Sequence, residues 1–409
     1  MRPRIAAVFC MPERGHLQRL LPLIAGLARA GVSVVVFTAA EFTSIVGRAG
    51  GRFVDLFTRY PLEAADATSR PVPCRYVSFA AHYADALIDE MRVLRPSLIV
   101  YDTFAVIGPL LGRALGIPYI NACAGHNMSP ARAVRSLEGD PRVLPSDQCR
   151  RAVDVLRDRW GVTDASPFSY FTGLSPYLNV YGEPPAFLRP EEAEAFQPIA
   201  FFGSVAPPDL IGGESRRPVP SSLWRNGARL RVYASFGSVV WRYFEAAAVR
   251  ALASLSDAIA RTDSARAVIS LGGHRLGADA RARLERHNVQ VADYVDQWAI
   301  LRGATVCVTH QGLNSTHEMI YHRVPMISYP FFADQPALAA RCQEFGLAVP
   351  LAGMPRGPVA AHDVRAALGR VRDESARMAA GLDRARAWEL ETMAGRQAVI
   401  EQMLSLRPG

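Results

Sequence analysis

The chain contains no lysine: all 46 of its basic side chains are arginines. Without an ε-amine there is no Walker P-loop, no protein-kinase phosphate lysine and no Schiff base of the pyridoxal or aldolase kind, because each of these chemistries runs through that amine. There is also no Asp-x-Asp pair, so an obvious carrier of a divalent metal is missing. Long apolar runs are absent as well. Residues 1–10 are followed at once by Pro12, Glu13 and Arg14, too early for a signal peptide, and no stretch approaches the roughly 20 residues of a membrane helix. The six cysteines (Cys10, Cys74, Cys123, Cys149, Cys307 and Cys342) are scattered, with no CxxC or Cys/His ligand spacing. They read as reduced, packed thiols, and the expectation is a cytoplasmic protein.

What is present points to a globular enzyme-sized chain. At 409 residues, half of them hydrophobic, it exceeds what one core usually serves, so two domains are expected. The net charge of +8 comes from arginines spread along helical stretches, without a basic tract or an aromatic-basic motif, and nucleic acid is not an expected partner.

Short β-branched runs alternate with amphipathic stretches from the start: RIAAVFC, LQRLLPLIAGLARAG, VSVVVFT, a further helix, RFVDLF, a helix over residues 80–95, SLIVYD, a helix over 107–116, and IPYIN. Strand, helix, strand at this spacing calls for right-handed crossovers and a parallel, doubly wound sheet. The segment APPDLIGGESRRPVPSS breaks the pattern and reads as a linker. A second alternation follows: LRVYASF, a helix over about 244–260, ARAVISLG, NVQVADYV, TVCVT, a helix from Asn314, PMISYP, a helix from about Gln335, and GLAVPL. Residues 363–404 are helical in pattern throughout and form a tail able to cross back to the first domain. The expected organisation is therefore α/β, with two Rossmann-like doubly wound domains. These are residues 1–205 and 230–385, joined by a linker over 206–229 and followed by a C-terminal helix over 386–409.

In open α/β sheets ligands sit beyond the carboxyl ends of the strands, so the loops after strands are where chemistry belongs. His16 lies in the turn between the first strand and helix, where the helix dipole favours the neutral imidazole of a general base. Taken alone, a histidine that merely starts a helix is the commoner case. Asp102 ends SLIVYD at the same rim and is suited to holding an imidazole, or equally to capping the next helix. The densest signal is VCVTHQGLNSTHEMIYHRVPMISYPFFADQP. His310 and Gly312 precede a helix opened by Asn314, Ser315 and Thr316, an anion site built from free N–H groups and the dipole. Glu318 one turn on suits vicinal hydroxyls, and Asp334 with Gln335 follow the next strand. In YASFGSVV, Gly237 and Ser238 offer a backbone N–H and a hydroxyl to a phosphate. In VADYVDQWAIL, Tyr294 ends the strand run as a stacking platform with Val295 and Gln297 beside it, or as a core tyrosine and a helix-starting glutamine.

This ensemble resembles the family-one, GT-B-fold glycosyltransferases, most of all the bacterial natural-product branch (macrolide and glycopeptide type), and the resemblance spans essentially the whole chain. It implies two domains facing across a cleft and inverting, metal-independent transfer of a sugar from a TDP- or UDP-linked donor to a hydroxyl of a small acceptor. His16 in the Pro12–His16 opening would be the base and Asp102 its partner. Gly237, Ser238, Tyr294, Val295, Gln297, His310, Gly312, Asn314, Ser315, Thr316, Glu318, Asp334 and Gln335 would hold the donor. Tyr76, Phe79, Tyr83, His126 and Phe168 would face the acceptor. No metal and no other cofactor is expected, and the protein would be a monomer or homodimer. Two departures from the family pattern stand out: Gln311 where the family has a small residue, and Tyr294–Gln297 where it reads Trp-x-Pro-Gln. The rival readings are a GT-B-like sugar-nucleotide 2-epimerase, which would not need the His16–Asp102 base, and a silent glycosyltransferase-like partner protein, against which the presence of both residues speaks.

Overall fold

Among the described residues thirteen short, mainly apolar strands build two parallel sheets, as expected where helices cover both faces. The structure is a computed structural model and describes residues 4–206, 224 and 228–408. The chain divides into one unit of residues 1–210 with 392–409 and a second of residues 211–391. The linker reading over 206–229 falls mostly outside the described residues.

The first unit holds β1 (Ile5–Phe9), β2 (Ser33–Thr38), β3 (Arg52–Asp55), β4 (Leu98–Asp102), β5 (Tyr119–Cys123), β6 (Leu178–Tyr181) and β7 (Ile199–Phe201). They are ordered β3-β2-β1-β4-β5-β6-β7 and all run parallel. Alternation along β1 sends Ala7 and Phe9 to a core shared with the helices Cys74–Leu94 and Ile107–Leu115, and Ala6 and Val8 to a core under the helix Arg14–Arg29. Helix Ile107–Leu115 lies directly on the sheet because Gly108 and Gly112 face it; a Cβ there would sit 2.4 Å from Tyr101 and 2.2 Å from Tyr119.

The second unit repeats the plan with β8 (Leu230–Ser235), β9 (Ala265–Ser270), β10 (Val289–Ala292), β11 (Val306–Thr309), β12 (Met326–Ser328) and β13 (Ala348–Pro350). Their order is β10-β9-β8-β11-β12-β13, again parallel. In each sheet the winding reverses after the third strand. The crevices at the carboxyl ends therefore open between β1 and β4 and between β8 and β11.

The helical reading of the tail resolves into Ala361–Asp373, Ser375–Ala394 and Arg396–Ser405, and the last of these does return to the first unit. Val399, Ile400 and Met403 enter the core beneath Arg14–Arg29, where Gly26 leaves room for Ile400. The Arg396 guanidinium donates to the carbonyls of Phe202 (2.7 Å), Gly203 (3.2 Å) and Val205 (2.7 Å).

Several expected boundaries move. The helix expected from residue 80 begins at Cys74, behind Pro73. The helix expected from 244 begins at Val240 and is broken at Phe244 (φ −137°, ψ 30°), which the apolar periodicity does not reveal. The strand NVQVADYV stops at Ala292, because its neighbour β9 ends opposite it at Ser270; Tyr294 therefore lies in a loop.

Candidate functional site

The first unit's crevice is built by two loops that adjacency of β1 and β4 forces together. Helix Arg14–Arg29 starts behind Glu13 and carries His16 in its first turn, while Asp102 is the final residue of β4. The imidazole Nδ1 hydrogen-bonds the Asp102 Oδ1. That carboxylate is fully buried, and it also accepts from the backbone N–H of Phe104 (Oδ1, 3.2 Å) and of Met11 (Oδ2, 3.2 Å). The Arg19 guanidinium stands 3.8 Å from Oδ1. Burial by itself pushes the Asp102 carboxyl up, but His16, Arg19 and the Phe104 N–H together hold it below the usual carboxylate range. An ionised Asp102 fixes the proton of a neutral His16 on Nδ1, which leaves the Nε2 lone pair as the accepting site. The ring is 18% exposed and lies against Phe104, centroids 4.1 Å apart, so one edge of the base faces solvent.

The residues expected at the acceptor fall into three places. Tyr76 and Phe168 belong to the aromatic group around His16: Tyr76 is 6.2 Å from Phe104, and Phe168 reaches Phe104 through Tyr170. Phe79 and Tyr83 form a separate cluster with Phe57 and Tyr60, and the Tyr83 hydroxyl donates to the Pro61 carbonyl. His126 is corrected: it is fully buried, with Nδ1 on the Glu183 carboxylate (2.6 and 2.7 Å) and Nε2 against the Asn127 amide, so it has neither access nor a spare lone pair for an acceptor. Phe104, Glu13 and Arg19 are neighbours of His16 that sequence reasoning missed, although Phe104 sits two residues beyond Asp102 and Arg19 one helical turn beyond His16.

In the second unit a knot of glycines surrounds His310. A Cβ on Gly312 would sit 2.3 Å from the imidazole Nε2, and one on Gly237, which has φ +67°, 2.8 Å from it. Gly272 is pressed on Gly237 in turn, with 2.3 Å between a Cβ there and the Gly237 carbonyl oxygen. The loops after β8, β9 and β11 therefore meet at backbone distance. Burial lowers the His310 pKa to about 4, against a backbone hydrogen bond at Ser235 that favours the charged form, so the ring is neutral near pH 7 with a single N–H. Helix Leu313–Tyr321 opens beside it with Asn314, Ser315 and Thr316, of which Thr316 is fully buried.

Gln297 ties the neighbouring loop to that helix. Its amide donates to Glu318 (2.6 Å) and Ser315 (3.2 Å), and its carbonyl accepts from the Tyr233 hydroxyl (3.2 Å). Burial pushes the Glu318 carboxyl up to about 7. Tyr294 is 48% exposed, with Val295 half-buried after it. Asp296 gains an explanation the sequence lacked: its side chain accepts from the Ala299 N–H and caps the helix Gln297–Leu301. Gln311 adopts φ +60° and turns its side chain inward, toward Thr316, Met326 and Cys342. Asp334 precedes the helix Gln335–Glu344, and the Gln335 carbonyl accepts from the N–H groups of Phe331 (2.9 Å) and Phe332 (3.3 Å), leaving its amide for another partner. Ser238 is exposed beside Gly237. A buried His317–Glu389 pair behind the helix is a further contact without a sequence signal. Among the described residues no group of three or more His, Cys, Asp or Glu is arranged as a metal site, and no helix is long and apolar enough to cross a membrane.

Residues 211–378 match the family model described as UDP-glucoronosyl and UDP-glucosyl transferase. The NDP-glycosyltransferase YjiC of Bacillus licheniformis is 23% identical over 354 residues, 83% of each chain. The solved glycotransferase of kitacinnamycin superposes with a TM-score of 0.75 at 22% identity, covering 98% of this chain and 99% of the other. The chain has the GT-B fold of these solved glycosyltransferases, and its second unit carries the glycosyltransferase family match. The fold is also that of the glycosyltransferase VinC solved in complex with DTDP (TM-score 0.64, 18% identity, 98% of this chain and 99% of that one). The crevices after β1 and β4 and after β8 and β11 are where the side chains converge.

Proposed function

We propose that this glycosyltransferase moves a sugar from a nucleoside diphosphate, TDP- or UDP-linked, to a hydroxyl of a small natural-product acceptor, with inversion and without a metal. The observation that carries the reading is the His16–Asp102 pair. An imidazole oriented through Nδ1 by a buried, ionised carboxylate is placed to act as a general base through Nε2 for a hydroxyl proton. Such a base is superfluous in the rival epimerase and in a silent partner protein. As the hydroxyl attacks the anomeric carbon from the face opposite the diphosphate, His16 takes its proton and Asp102 stabilises the imidazolium; one displacement inverts the carbon. The leaving diphosphate gains negative charge. The N–H groups opening helix Leu313–Tyr321, the neutral His310 N–H and Ser238 supply donors for it without a cation. Glu318 would accept from nucleoside hydroxyls, Tyr294 would stack on the base, and Asp334 with the Gln335 amide would meet sugar hydroxyls. The glycosyltransferase VinC solved in complex with DTDP and a relative that is an NDP-glycosyltransferase support this donor class.

The deciding experiment is turnover against a panel of nucleotide sugars with phenolic and polyketide acceptors, followed by mass spectrometry and the anomeric coupling constant of the product. An inverted anomer is expected; a retained one, or epimerised nucleotide sugar without acceptor product, overturns the reading. Free nucleoside diphosphate is expected to raise the melting temperature equally with and without a chelator. A shift that disappears with chelator would remove the metal-free donor site. Asp334→Ala is expected to lower turnover while leaving nucleoside diphosphate affinity nearly intact, and parallel loss of both would move Asp334 away from the sugar.

A further inference from the structure

A fully buried carboxylate whose only cation is an imidazole has a simple way to neutralise itself: it keeps the imidazole protonated. An imidazolium cannot accept a proton, so a buried Asp–His pair left to itself is a poor resting base. In this chain a second cation reaches Asp102. Arg19 follows His16 by three residues and so shares its helix face. It is 7% exposed, and its guanidinium lies 3.8 Å from the same Oδ1 that bonds His16 while donating to the Ala122 carbonyl at 3.4 Å. An arginine is effectively never deprotonated, so this charge is permanent. We infer that Arg19 is a positioning residue that balances the Asp102 charge and thereby keeps the resting His16 imidazole neutral and ready to accept the acceptor's proton. The inference rests on the proposed role of His16.

Three other titratable groups near the pair are Cys10, Cys123 and Glu13. At the end of β1 the Cys10 thiol is pushed well up by burial, and on β5 the Cys123 thiol is pushed up to about 12, so neither carries charge near neutrality. Glu13, which precedes the helix, is 6% exposed and lies 3.4 Å from the hydroxyl of Tyr76 on the facing helix. A carboxylate there would favour the imidazolium, which makes the opposing charge of Arg19 more consequential.

The test is the pH dependence of kcat/KM for the acceptor at saturating donor, compared across wild type, Arg19→Met, Arg19→Gln and Arg19→Lys, with melting curves for each. Removing the cation favours protonated His16, so in the neutral variants the acidic limb is expected to move toward higher pH by about one unit. Arg19→Lys should keep it near the wild-type position, and nucleoside diphosphate affinity should be unchanged in all. A merely structural role would lower activity without moving the limb. A folded neutral variant with the wild-type limb overturns the inference. So does failure of both neutral variants to fold while Arg19→Lys folds, since the cation would then serve the fold and not the base. A His16→Ala enzyme that keeps wild-type activity and the wild-type limb would instead remove the base itself, a result separable from either outcome for Arg19.

Discussion

His16→Ala is expected to lower turnover at least about a hundredfold while nucleoside diphosphate affinity stays unchanged, because a positioned base contributes roughly 10² to 10⁴ in rate. The geometry gives the expectation its form. Asp102 acts only through the imidazole: Nδ1 is its sole route to the open Nε2 edge, and the carboxylate itself is fully buried. Asp102→Asn should therefore cost less than His16→Ala, since the ring remains while its cation loses its counter-charge. The double substitution should cost little more than His16→Ala alone, because residues acting as a unit do not add. Initial rates on a phenolic acceptor, with donor affinity measured separately by calorimetry, check all three. Near-normal turnover of His16→Ala on a hydroxyl acceptor would place proton transfer on another group, and the buried, doubly bonded His126 is not available to take it.

The second large effect is expected at Gly312. Its φ of −69° suits any residue, so alanine there strains no backbone. The added methyl would nevertheless stand 2.3 Å from the His310 imidazole Nε2, the same atom that a Cβ on Gly237 would meet at 2.8 Å. Gly312→Ala must displace His310. Losing a hydrogen bond to a charged group costs about 1.5–3 kcal/mol, so nucleoside diphosphate affinity should fall roughly ten- to a hundredfold in calorimetry. Combining it with His310→Ala should give no more loss than His310→Ala by itself, since the clash then has no object. Wild-type affinity in a folded Gly312→Ala enzyme would mean that His310 makes no phosphate contact.

How far the sequence reaches can be seen at these same positions. The doubly wound sheets are legible because β1, β4, β8 and β11 are short, mainly apolar runs that end at polar residues, and that ending puts His16, Asp102, His310 and Gly312 at or just beyond the strand ends beside the switch points. Partners lying far along the chain are not legible. Glu389 is 72 residues from the His317 it pairs with and sits in a helical stretch without any motif. Gly272 follows a strand that offers no ligand signal, yet it locks the Gly237 turn. Arg19 reads as one more polar position on an amphipathic helix, and only the register of β1 on β4 turns it toward Asp102. His126 misleads in the opposite sense: a histidine in a loop after β5 looks available until Glu183, on a loop after β6, is brought against it.

The return of Arg396–Ser405 to the first unit carries a consequence for biosynthesis. When residues 1–391 have left the ribosome, every strand of the first sheet has been made, yet Leu20, Leu23 and Ile24 still lack the Val399, Ile400 and Met403 that pack with them. The carbonyls of Phe202, Gly203 and Val205 likewise wait for Arg396. The second unit, being one continuous stretch, is complete sooner. Nascent domains generally mature in the order of translation, at about 5–20 residues per second. In this chain the unit that starts first closes last, with the Leu20, Leu23 and Ile24 face without its final cover until Val399, Ile400 and Met403 arrive.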